Sequence, residues 1–333
     1  MAKKNKVNGF SSFLNNPVDF TLVITVLLLL SIGLVMLLSA SSPTSLQEYD
    51  NSYKYFLRQL VFAVLGLIAM YFISRIDYRI YQKFYKLAWW LSFFSLILVL
   101  VIGTDSHGAK RWIDLGFTTV QPSEFVKFFM IIFYAGILVK NRNDLGKFWK
   151  GLVKHLLFLV PIIGLLILEP HVSTSMVIII TCCVIIIMAG CKFWQFALSG
   201  IVAGGVVGAV ATILYFVNDA FQTRFQYIVT RVITFLDPWQ DVSNTGWQVI
   251  QSLYAIGSGG LFGVGLGDST QKYLYLPEPH NDFIFSVLAE ELGFVGCVFV
   301  FILFAIFIWR GILIAMKAPD MFGSLVAIGI TTL

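Results

Sequence analysis

The residues that could take part in chemistry stand where polar stretches run into strongly apolar ones. Asp282 ends a long polar stretch and directly precedes the apolar sequence Phe283-Ile284-Phe285. A carboxylate shielded from water by aromatic rings accepts protons more readily, so Asp282 is a candidate general base for a hydroxyl group. Aspartate is also a favoured helix N-cap, and the two roles are compatible. Glu290 and Glu291 follow deeper in the same segment, where carboxylates need a basic partner.

A second charged group, Glu124 with Lys127, opens another apolar segment. It directly follows Pro122-Ser123, which is typical of a helix start. Residues three positions apart lie on one helix face and can form an ion pair. The pair either neutralises itself so that the helix can enter a membrane, or it forms the charged wall of a substrate cavity. The sequence alone leaves both interpretations open.

Arg111 and Trp112 lie shortly before that helix start. Both residue types are common at the membrane interface, where the indole sits among the headgroups and the guanidinium contacts lipid phosphate. They could instead form an anion-binding and ring-stacking platform, but their chemistry alone favours the interfacial role. No nucleophilic triad, P-loop or HExxH motif occurs. The cysteines lack CxxC spacing and indicate small core residues rather than a zinc site or disulfide: Cys182, Cys183, Cys191 and Cys297.

Membrane-spanning helices are the elements that must position these residues. Of the 333 residues, 58% are hydrophobic and only 12% are charged, and the mean hydropathy is +0.84. A soluble domain carries about 25% charged residues. A spanning helix needs roughly 20 mostly apolar residues, which flanking interfacial side chains can complete. We therefore predict an all-α, polytopic membrane helix bundle from the recurring apolar segments Phe20–Leu38, Leu60–Ile73, Leu87–Ile102, Phe128–Val139, Leu156–Leu168, Met176–Met188, Phe193–Val217, Leu292–Trp309 and a ninth that begins near Phe322.

The basic residues orient this bundle. With a cytoplasmic N-terminus and one crossing per segment, most of the 23 basic residues fall in cytoplasmic loops, as the positive-inside rule requires. Their scatter over the loops gives no reason to expect a nucleic-acid partner. Two polar stretches then lie outside, Gly103–Pro122 and a large loop, 218–282, between the seventh and eighth segments. We expect residues 1–333 to form a single transmembrane domain that is truncated within its last span.

Several stretches of the sequence resemble the SEDS proteins (shape, elongation, division and sporulation), a family that includes FtsW, RodA and SpoVE. The resemblance covers nearly the whole chain, and its first two segments are closer to the FtsW/SpoVE branch. It departs from the family at Asn281, where threonine is common, and at His171, where aspartate is common. The matching stretches are Gly33–Ser41, Phe56–Leu60, Gly108–Trp112, Gln121–Lys127, Gly246–Ser252, the glycine-rich run Gly257–Gly267, Leu276–Phe285 and Glu290–Gly293.

The resemblance implies about ten transmembrane helices with both ends in the cytoplasm, of which at least nine begin in this chain. It also implies a peptidoglycan glycosyltransferase that polymerises lipid II, an undecaprenyl-pyrophosphate-linked precursor, on the outer face of the bacterial cytoplasmic membrane. Such proteins act in cell division, cell shape or sporulation. The implied partners are a class B penicillin-binding protein, which cross-links the product, and other membrane proteins of the division or elongation machinery.

The resemblance also assigns roles to individual residues. The family's essential acidic residue falls on Asp282, its tryptophan on Trp112, and its Glu/Lys pair on Glu124 and Lys127. Asp282 is thus the implied catalytic residue. The residues that we expect to bind substrate are Trp112, Arg111, Glu124, Lys127, Arg231, Gln248, Glu278 and His280. Glu278 stands between two prolines, which predicts an extended backbone at this residue.

A mechanism follows from these roles as a hypothesis. Asp282 would take the proton of the acceptor sugar's 4-hydroxyl, whose oxygen attacks the anomeric carbon of the growing chain's terminal sugar. Undecaprenyl pyrophosphate then leaves, and cationic groups near it would stabilise its developing charge; Lys127, Arg111 and Arg231 are the candidates. A divalent cation, Mg²⁺ or Mn²⁺, could assist. No cluster of metal ligands is evident in the sequence, so no metal-binding residue is assigned.

Two other classes of function stay open from the sequence. A flippase for the lipid-linked precursor would use a polar cavity equally well, but it predicts access from both faces and tolerance of Asp282→Asn. A non-enzymatic scaffold for division proteins predicts that changes on helix surfaces, and not at Asp282, abolish function. The position of the Asp282 motif at the outer mouth of a span favours the enzyme.

Overall fold

Helices account for most of the structure. The computed structural model describes residues 18–106, 109–114, 116, 118–169, 172–200, 204, 226, 229–230, 233–242, 246–273 and 275–333. The helices among them that are long and apolar enough to cross a membrane are Phe20–Tyr49, Lys54–Ser74, Tyr85–Ile102, Pro122–Lys140, Phe148–Leu168 and Ile284–Lys317. The predicted all-α, polytopic membrane bundle is therefore confirmed, while the number of spans in the whole chain stays a prediction.

The elements are numbered in chain order. Short 3-10 turns cover Arg142–Asp144 and Pro238–Asp241, and a π-helical turn, Phe148–Val153, leads into the sixth helix. The strands are β1 (Thr104–Ser106), β2 (Ala109–Asp114) and β3 (Thr119–Val120). The helices are α1 (Phe20–Tyr49), α2 (Lys54–Ser74), α3 (Arg79–Lys83), α4 (Tyr85–Ile102), α5 (Pro122–Lys140), α6 (Lys154–Leu168), α7 (Val172–Met188), α8 (Trp247–Ser258), α9 (Ile284–Lys317) and α10 (Met321–Thr332).

The first helix is longer than the apolar segment that predicts it. Asp19 caps its start by accepting a hydrogen bond from the backbone N–H of Leu22 at 3.0 Å. The helix continues past Leu38 to Tyr49 and stops where Asp50 adopts a left-handed conformation, with φ of 52°. An apolar run marks only the part of a helix that lies in hydrocarbon, whereas backbone hydrogen bonding can extend the helix into polar sequence. The polar end of α1 supplies residues to the candidate site described below.

The chain forms two compact units, which are described separately. Unit 1 comprises residues 1–75 and 208–307 and contains α1, α2, α8 and most of α9. In this unit α1 packs along α2. Its apolar core joins residues of α1, of α9 and of the segment just before α9: Met36, Ala40, Leu276, Val287, Leu288, Ala289, Cys297 and Val300.

Helix α9 is interrupted at Gly293, whose φ of 66° and ψ of −168° are not helical. The glycine-rich run Gly257–Gly267 lies against this break. A helix break at membrane depth exposes backbone groups that must find partners within the protein. Here the two backbones satisfy each other through Val264 N–Glu290 O (2.9 Å), Gly265 N–Glu291 O (3.2 Å), Phe294 N–Gly260 O (2.9 Å) and Val295 N–Leu261 O (3.1 Å).

Unit 2 comprises residues 76–207 and 308–333. Its central element is α5, which packs against α4, α7 and α10. The apolar face of α5 forms much of the core, with the side chains of Val126, Met130, Tyr134 and Leu138 fully buried. Buried polar groups find partners across helices: the Tyr134 hydroxyl donates to the carbonyl of His155 at 2.8 Å.

A small antiparallel sheet, in the order β1-β2-β3, fills the stretch between α4 and α5. The sequence analysis places this stretch outside the membrane but does not predict strands there. Strand β2 pairs with β1 and β3 on its two sides, for example Thr104 with Trp112 and Ile113 with Val120. Strands of two to six residues are too short to give a clear alternating pattern in a sequence. The sheet fixes the backbone of Arg111 and Trp112.

Candidate active site

Asp282 lies in a turn just before the start of α9. The helix begins at Ile284, so Asp282 is not at the N-cap position that the sequence analysis considered. Its side chain is exposed, and no hydrogen bond or ion pair engages its carboxylate within the described part of unit 1. The expected shielding by Phe283 and Phe285 is therefore not seen within this unit. An exposed carboxylate with free lone pairs can accept a proton from a hydroxyl group brought to it.

A compact turn precedes Asp282 and sets its position. Glu278 adopts φ of 47°, so the extended conformation expected for a residue between two prolines is wrong. The turn is closed by Asn281, whose backbone N–H donates to the Glu278 carbonyl at 3.1 Å and whose Nδ2 donates to Glu278 Oε2 at 2.9 Å. The second of these bonds depends on asparagine, because its side-chain amide carries N–H donors. Asn281, where the family often has threonine, thus stabilises the turn.

His280 packs inward from the same turn. Its side chain is buried, and its Nε2 lies 3.8 Å from Glu278 Oε2. Its ring lies 4.8 Å, centroid to centroid, from the ring of Tyr55 at the start of α2. Tyr55 in turn donates to Glu48 Oε2 at 2.7 Å. Tyr55 could not be identified from the sequence, because no local pattern shows that the start of α2 meets a turn more than two hundred residues later in the chain.

Gln248 and the neighbouring Trp247 stand in the first turn of α8. Gln248 is exposed. Trp247 donates its indole N–H to the carbonyl of Tyr275 at 3.0 Å, which ties α8 to the segment that leads to Asp282. Within unit 1 the structure therefore gathers Glu278 and His280 around the Asp282 turn. It links Gln248 to that turn only through its neighbour.

The basic partner expected for Glu290 and Glu291 is Lys272, which pairs with Glu291. Lys272 Nζ lies 2.9 Å from Glu291 Oε1, and both side chains are almost completely buried. Glu290 instead accepts hydrogen bonds from Thr270 N and Thr270 Oγ1, both at 2.9 Å. Sequence reasoning did not identify Lys272. A signal was present, because it is the only lysine in the loop 218–282.

Unit 2 carries the other charged pair. Lys127 Nζ lies 2.8 Å from Glu124 Oε2, which confirms the predicted pairing across one turn of α5. The two side chains differ in burial: that of Lys127 is 18% exposed and that of Glu124 is 52% exposed. Glu124 lies in the first turn of α5, where a carboxylate interacts favourably with the helix dipole.

Arg111 and Trp112 are both half-buried on β2. Arg111 Nε donates to the carbonyl oxygen of Glu169 at 3.2 Å, at the end of α6. The Glu169 side chain is buried beside it, and this burial raises the pKa of the carboxyl to about 7, against the lowering effect of the Arg111 guanidinium. Glu169 is a titratable group that sequence reasoning did not single out.

The expected site residue Arg231 lies outside the described residues, as does His171, where the sequence departs from the family. The four cysteines are free thiols, and all but the half-buried Cys183 are buried. Among the residues that the structure describes, no three His, Cys, Asp or Glu side chains come together in a way that could hold a metal ion.

Known proteins resemble this chain over almost its full length. The family model for FtsW, RodA and SpoVE, described as a cell cycle protein, matches residues 20–333. Stage V sporulation protein E of Bacillus subtilis is 42% identical over 317 residues, which cover 95% of this chain and 84% of that protein. A probable peptidoglycan glycosyltransferase FtsW of Coxiella burnetii is 38% identical over 304 residues, which cover 91% of this chain and 79% of that protein.

Solved structures show the same fold. A chain from a structure on the coordination of polymerization and crosslinking by a peptidoglycan synthase complex gives a TM-score of 0.74 at 28% identity, covering 94% of this chain and 82% of that one. The rod shape determining protein RodA of Thermus thermophilus gives a TM-score of 0.64 at 25% identity, covering 94% and 80%. Together with the match to the family model, these similarities establish that the chain belongs to the FtsW/RodA/SpoVE family of cell cycle proteins.

Proposed function

We propose that the chain is a peptidoglycan glycosyltransferase that polymerises lipid II into glycan strands on the outer face of the bacterial cytoplasmic membrane. The observation that carries this proposal is the exposed Asp282 carboxylate, held on a tightly bonded turn at the end of a membrane helix. Relatives at 35–42% identity include several named probable peptidoglycan glycosyltransferase FtsW.

The proposed reaction is a glycosyl transfer with Asp282 as general base. Asp282 takes the proton of the acceptor sugar's 4-hydroxyl while the oxygen of that hydroxyl forms a bond to the anomeric carbon of the growing chain's terminal sugar. The bond from that carbon to undecaprenyl pyrophosphate breaks, and the bonding electrons leave with the pyrophosphate. General base catalysis typically contributes about a hundredfold to ten-thousandfold in rate. No step of this reaction is routed through a metal ion.

Lys127 and Arg111 are proposed to bind anionic parts of the substrate. A lysine that is mostly buried at the outer end of a helix offers a fixed positive charge, and a half-buried arginine offers a planar donor group. The proposed partner is a class B penicillin-binding protein, which would cross-link the glycan strands made here. A structural neighbour comes from a complex that joins polymerization to crosslinking.

The proposal is tested by lipid II polymerisation in liposomes. The chain is purified together with its cognate class B penicillin-binding protein, whose transpeptidase is blocked by penicillin. We expect glycan ladders from the wild type and at least about a hundredfold less product from Asp282→Asn. Asp268→Asn, which changes an exposed aspartate of the same unit outside the Leu276–Phe285 motif, should leave the ladders unchanged.

Each other outcome excludes a definite part of the proposal. Equal ladders from the wild type and a correctly folded Asp282→Asn would remove Asp282 from the mechanism. If the wild type makes no ladder while the reconstituted protein moves lipid II across the bilayer, the chain is a flippase. If it does neither, the scaffold function is favoured.

A further inference from the structure

A buried ion pair closes the loop that carries Asp282. Lys272 precedes Asp282 by ten residues, and Glu291 follows it by nine. Lys272 Nζ and Glu291 Oε1 are 2.9 Å apart, and the two side chains are only 3% and 0% exposed. The candidate base therefore sits on a closed loop whose two ends are fixed to each other inside the protein.

The Lys272 ammonium group is fully occupied by protein acceptors. Its Nζ donates to Ser39 Oγ at 3.0 Å, to Glu291 Oε1 at 2.9 Å and to the carbonyl of Gly267 at 2.5 Å. Ser39 Oγ itself donates to Glu291 Oε1 at 2.5 Å. An ammonium group has three protons to donate, so none is left for a substrate. Lys272 thus joins α1, the glycine-rich run and α9, and takes no direct part in binding.

The residues next to the ion pair strengthen the same attachment. Glu290 accepts from Ser269 Oγ at 2.5 Å and from Thr270 N and Thr270 Oγ1, each at 2.9 Å. The segment 269–272 is therefore bonded to α9 through two consecutive residues, Glu290 and Glu291. Because α9 runs from these glutamates back to Ile284, only residues 273–283 lie between the two fixed ends.

The contacts of this segment with the rest of unit 1 engage residues on either side of Asp282 and not Asp282 itself. The carbonyl of Tyr275 accepts from Trp247, and Leu276 is buried in the apolar core of unit 1. Near the other end, the His280 ring packs on Tyr55. Asp282 itself is exposed and makes no hydrogen bond among the described residues that would hold it. The Glu278–Asn281 turn sets its local position, and the two fixed ends of the segment set where that turn lies along α9.

We propose that Lys272 and Glu291 are positioning residues for the glycosyl transfer, which hold the Asp282 loop in one register on α9. This inference rests on the proposed function. A buried ion pair adds little net stability over an apolar pair of similar volume. Its contribution here is specificity, because it fixes which residue of the loop lies against which residue of α9. A displacement of about 1 Å at a reacting group can lower the rate about a hundredfold.

The test compares variants of the full chain, purified with the cognate penicillin-binding protein, for kcat and KM of lipid II polymerisation. The key variant is the double substitution Lys272→Met with Glu291→Leu, which removes both charges and leaves none unpaired. We expect a thermal midpoint near that of the wild type, kcat about a hundredfold lower and KM within about threefold. Amide hydrogen exchange in residues 273–283 should become faster.

Two further variants keep the test informative if the double variant folds poorly. Lys272→Arg retains the charge and should retain at least about a tenth of the wild-type kcat. Glu291→Gln should lower kcat about as far as the double variant does, and it should also lower the thermal midpoint because the buried Lys272 charge loses its counter-charge. The matched control is Lys147→Met, which breaks an exposed ion pair of 2.7 Å with Asp144 and should change neither kcat nor exchange in this segment.

The outcomes separate this inference from the proposed function. Wild-type kcat in the double variant or in Glu291→Gln overturns the positioning role, and the proposed function stands. A loss of kcat with unchanged hydrogen exchange also overturns it, because the loop would then not depend on the pair. If the wild type makes no glycan, the proposed function fails and the positioning role fails with it. If Asp282→Asn is fully active, the glycosyltransferase function stands, but Asp282 is not its base and the positioning role fails.

Discussion

At the scale of single residues, the unequal burial of Lys127 and Glu124 separates the two roles that their spacing leaves open. If Lys127 binds an anionic part of lipid II, Lys127→Met should raise KM about tenfold to a hundredfold, which corresponds to about 1.5–3 kcal/mol for a charged hydrogen bond. Glu124→Gln should leave KM within about threefold, because its carboxylate is half exposed and repels an anion. Steady-state polymerisation kinetics measure both effects.

Lys147→Met serves as the control, since Lys147 and Asp144 have the same three-residue spacing on an exposed surface. Lys127→Arg should recover part of the binding. If Lys127→Met and Glu124→Gln instead lower the yield of folded protein equally, and the KM of the folded fraction is unchanged, the pair serves membrane insertion.

Glu169 gives a prediction about pH. Burial raises the pKa of its carboxyl from 4.5 to about 7, against the lowering effect of Arg111, so the folded protein holds this proton to higher pH than the unfolded chain. Stability should therefore fall as pH rises from about 4.5 to about 7 and stay level above that. Glu169→Gln should remove this slope and stabilise the protein at pH 8 by at most about 3 kcal/mol. Thermal unfolding in detergent between pH 5 and pH 8 measures both.

Asp144→Asn is the comparison for Glu169. The hydrogen bond and charge of Lys147 hold the pKa of Asp144 below its ordinary value, so this group contributes no slope in the measured range. A slope that persists unchanged in Glu169→Gln would show that another group titrates there.

The sequence predicts local pairs well and distant pairs poorly. Glu124 and Lys127 could be paired from their spacing, because helix geometry alone brings them together. The partner of Glu291 could not be chosen from the sequence, because Lys272 reaches it only through the path of the glycine-rich run. The prediction of an extended backbone at Glu278 was wrong for a related reason, since the hydrogen bonds from Asn281 close a turn around this residue.

At the scale of elements, the break in α9 depends on two glycines in close contact. A Cβ on Gly293 would lie 2.2 Å from the backbone nitrogen of Gly263, and its φ of 66° is unfavourable for other residues. Gly293→Ala should therefore destabilise unit 1 by roughly 1–3 kcal/mol for the backbone strain alone, with a further penalty from the contact. The thermal midpoint and the yield of folded protein measure the effect.

Gly257→Ala is the matched control for Gly293. Gly257 belongs to the same glycine-rich run but lies in α8, and a Cβ there has open space. Alanine favours a helix over glycine by about 1 kcal/mol, so this variant should be as stable as the wild type or slightly more stable. Equal stability of Gly293→Ala and Gly257→Ala would contradict the packing described here.

Helix interiors could be predicted because an apolar segment must be helical in a bilayer. Helix ends could not, because they are decided by caps and turns in polar sequence. The small sheet that carries Trp112 was missed since its strands are two to six residues long. The segment after α8 was expected to be part of an outer loop, yet its backbone bonds to α9 on both sides of Gly293. Such pairing between distant segments leaves no periodic pattern in the sequence.

At the scale of the whole molecule, composition was sufficient to predict the class of protein. With only 12% charged residues, a chain of this length cannot cover itself with polar surface, so most of its helices must face lipid. The division into two units could not be foreseen, because each is assembled from stretches that are far apart in the chain. Residues 1–75 join residues 208–307 through contacts of α1 with α9 and with the segment before it.

Orientation in the membrane is the last prediction, and it rests on the basic residues. The loop between α5 and α6 is rich in lysine and arginine and should be cytoplasmic, whereas the loop between α1 and α2 should be outside. In intact cells a membrane-impermeant maleimide should label Gln47→Cys and not Asn143→Cys, which should label only after permeabilisation. Both positions are exposed, and the wild type, whose cysteines are buried or half-buried, gives the background. The reverse pattern would place Glu48 and its partner Tyr55 in the cytoplasm. Because Tyr55 packs on His280, the Asp282 turn would then be on the wrong side for polymerising glycan outside the membrane.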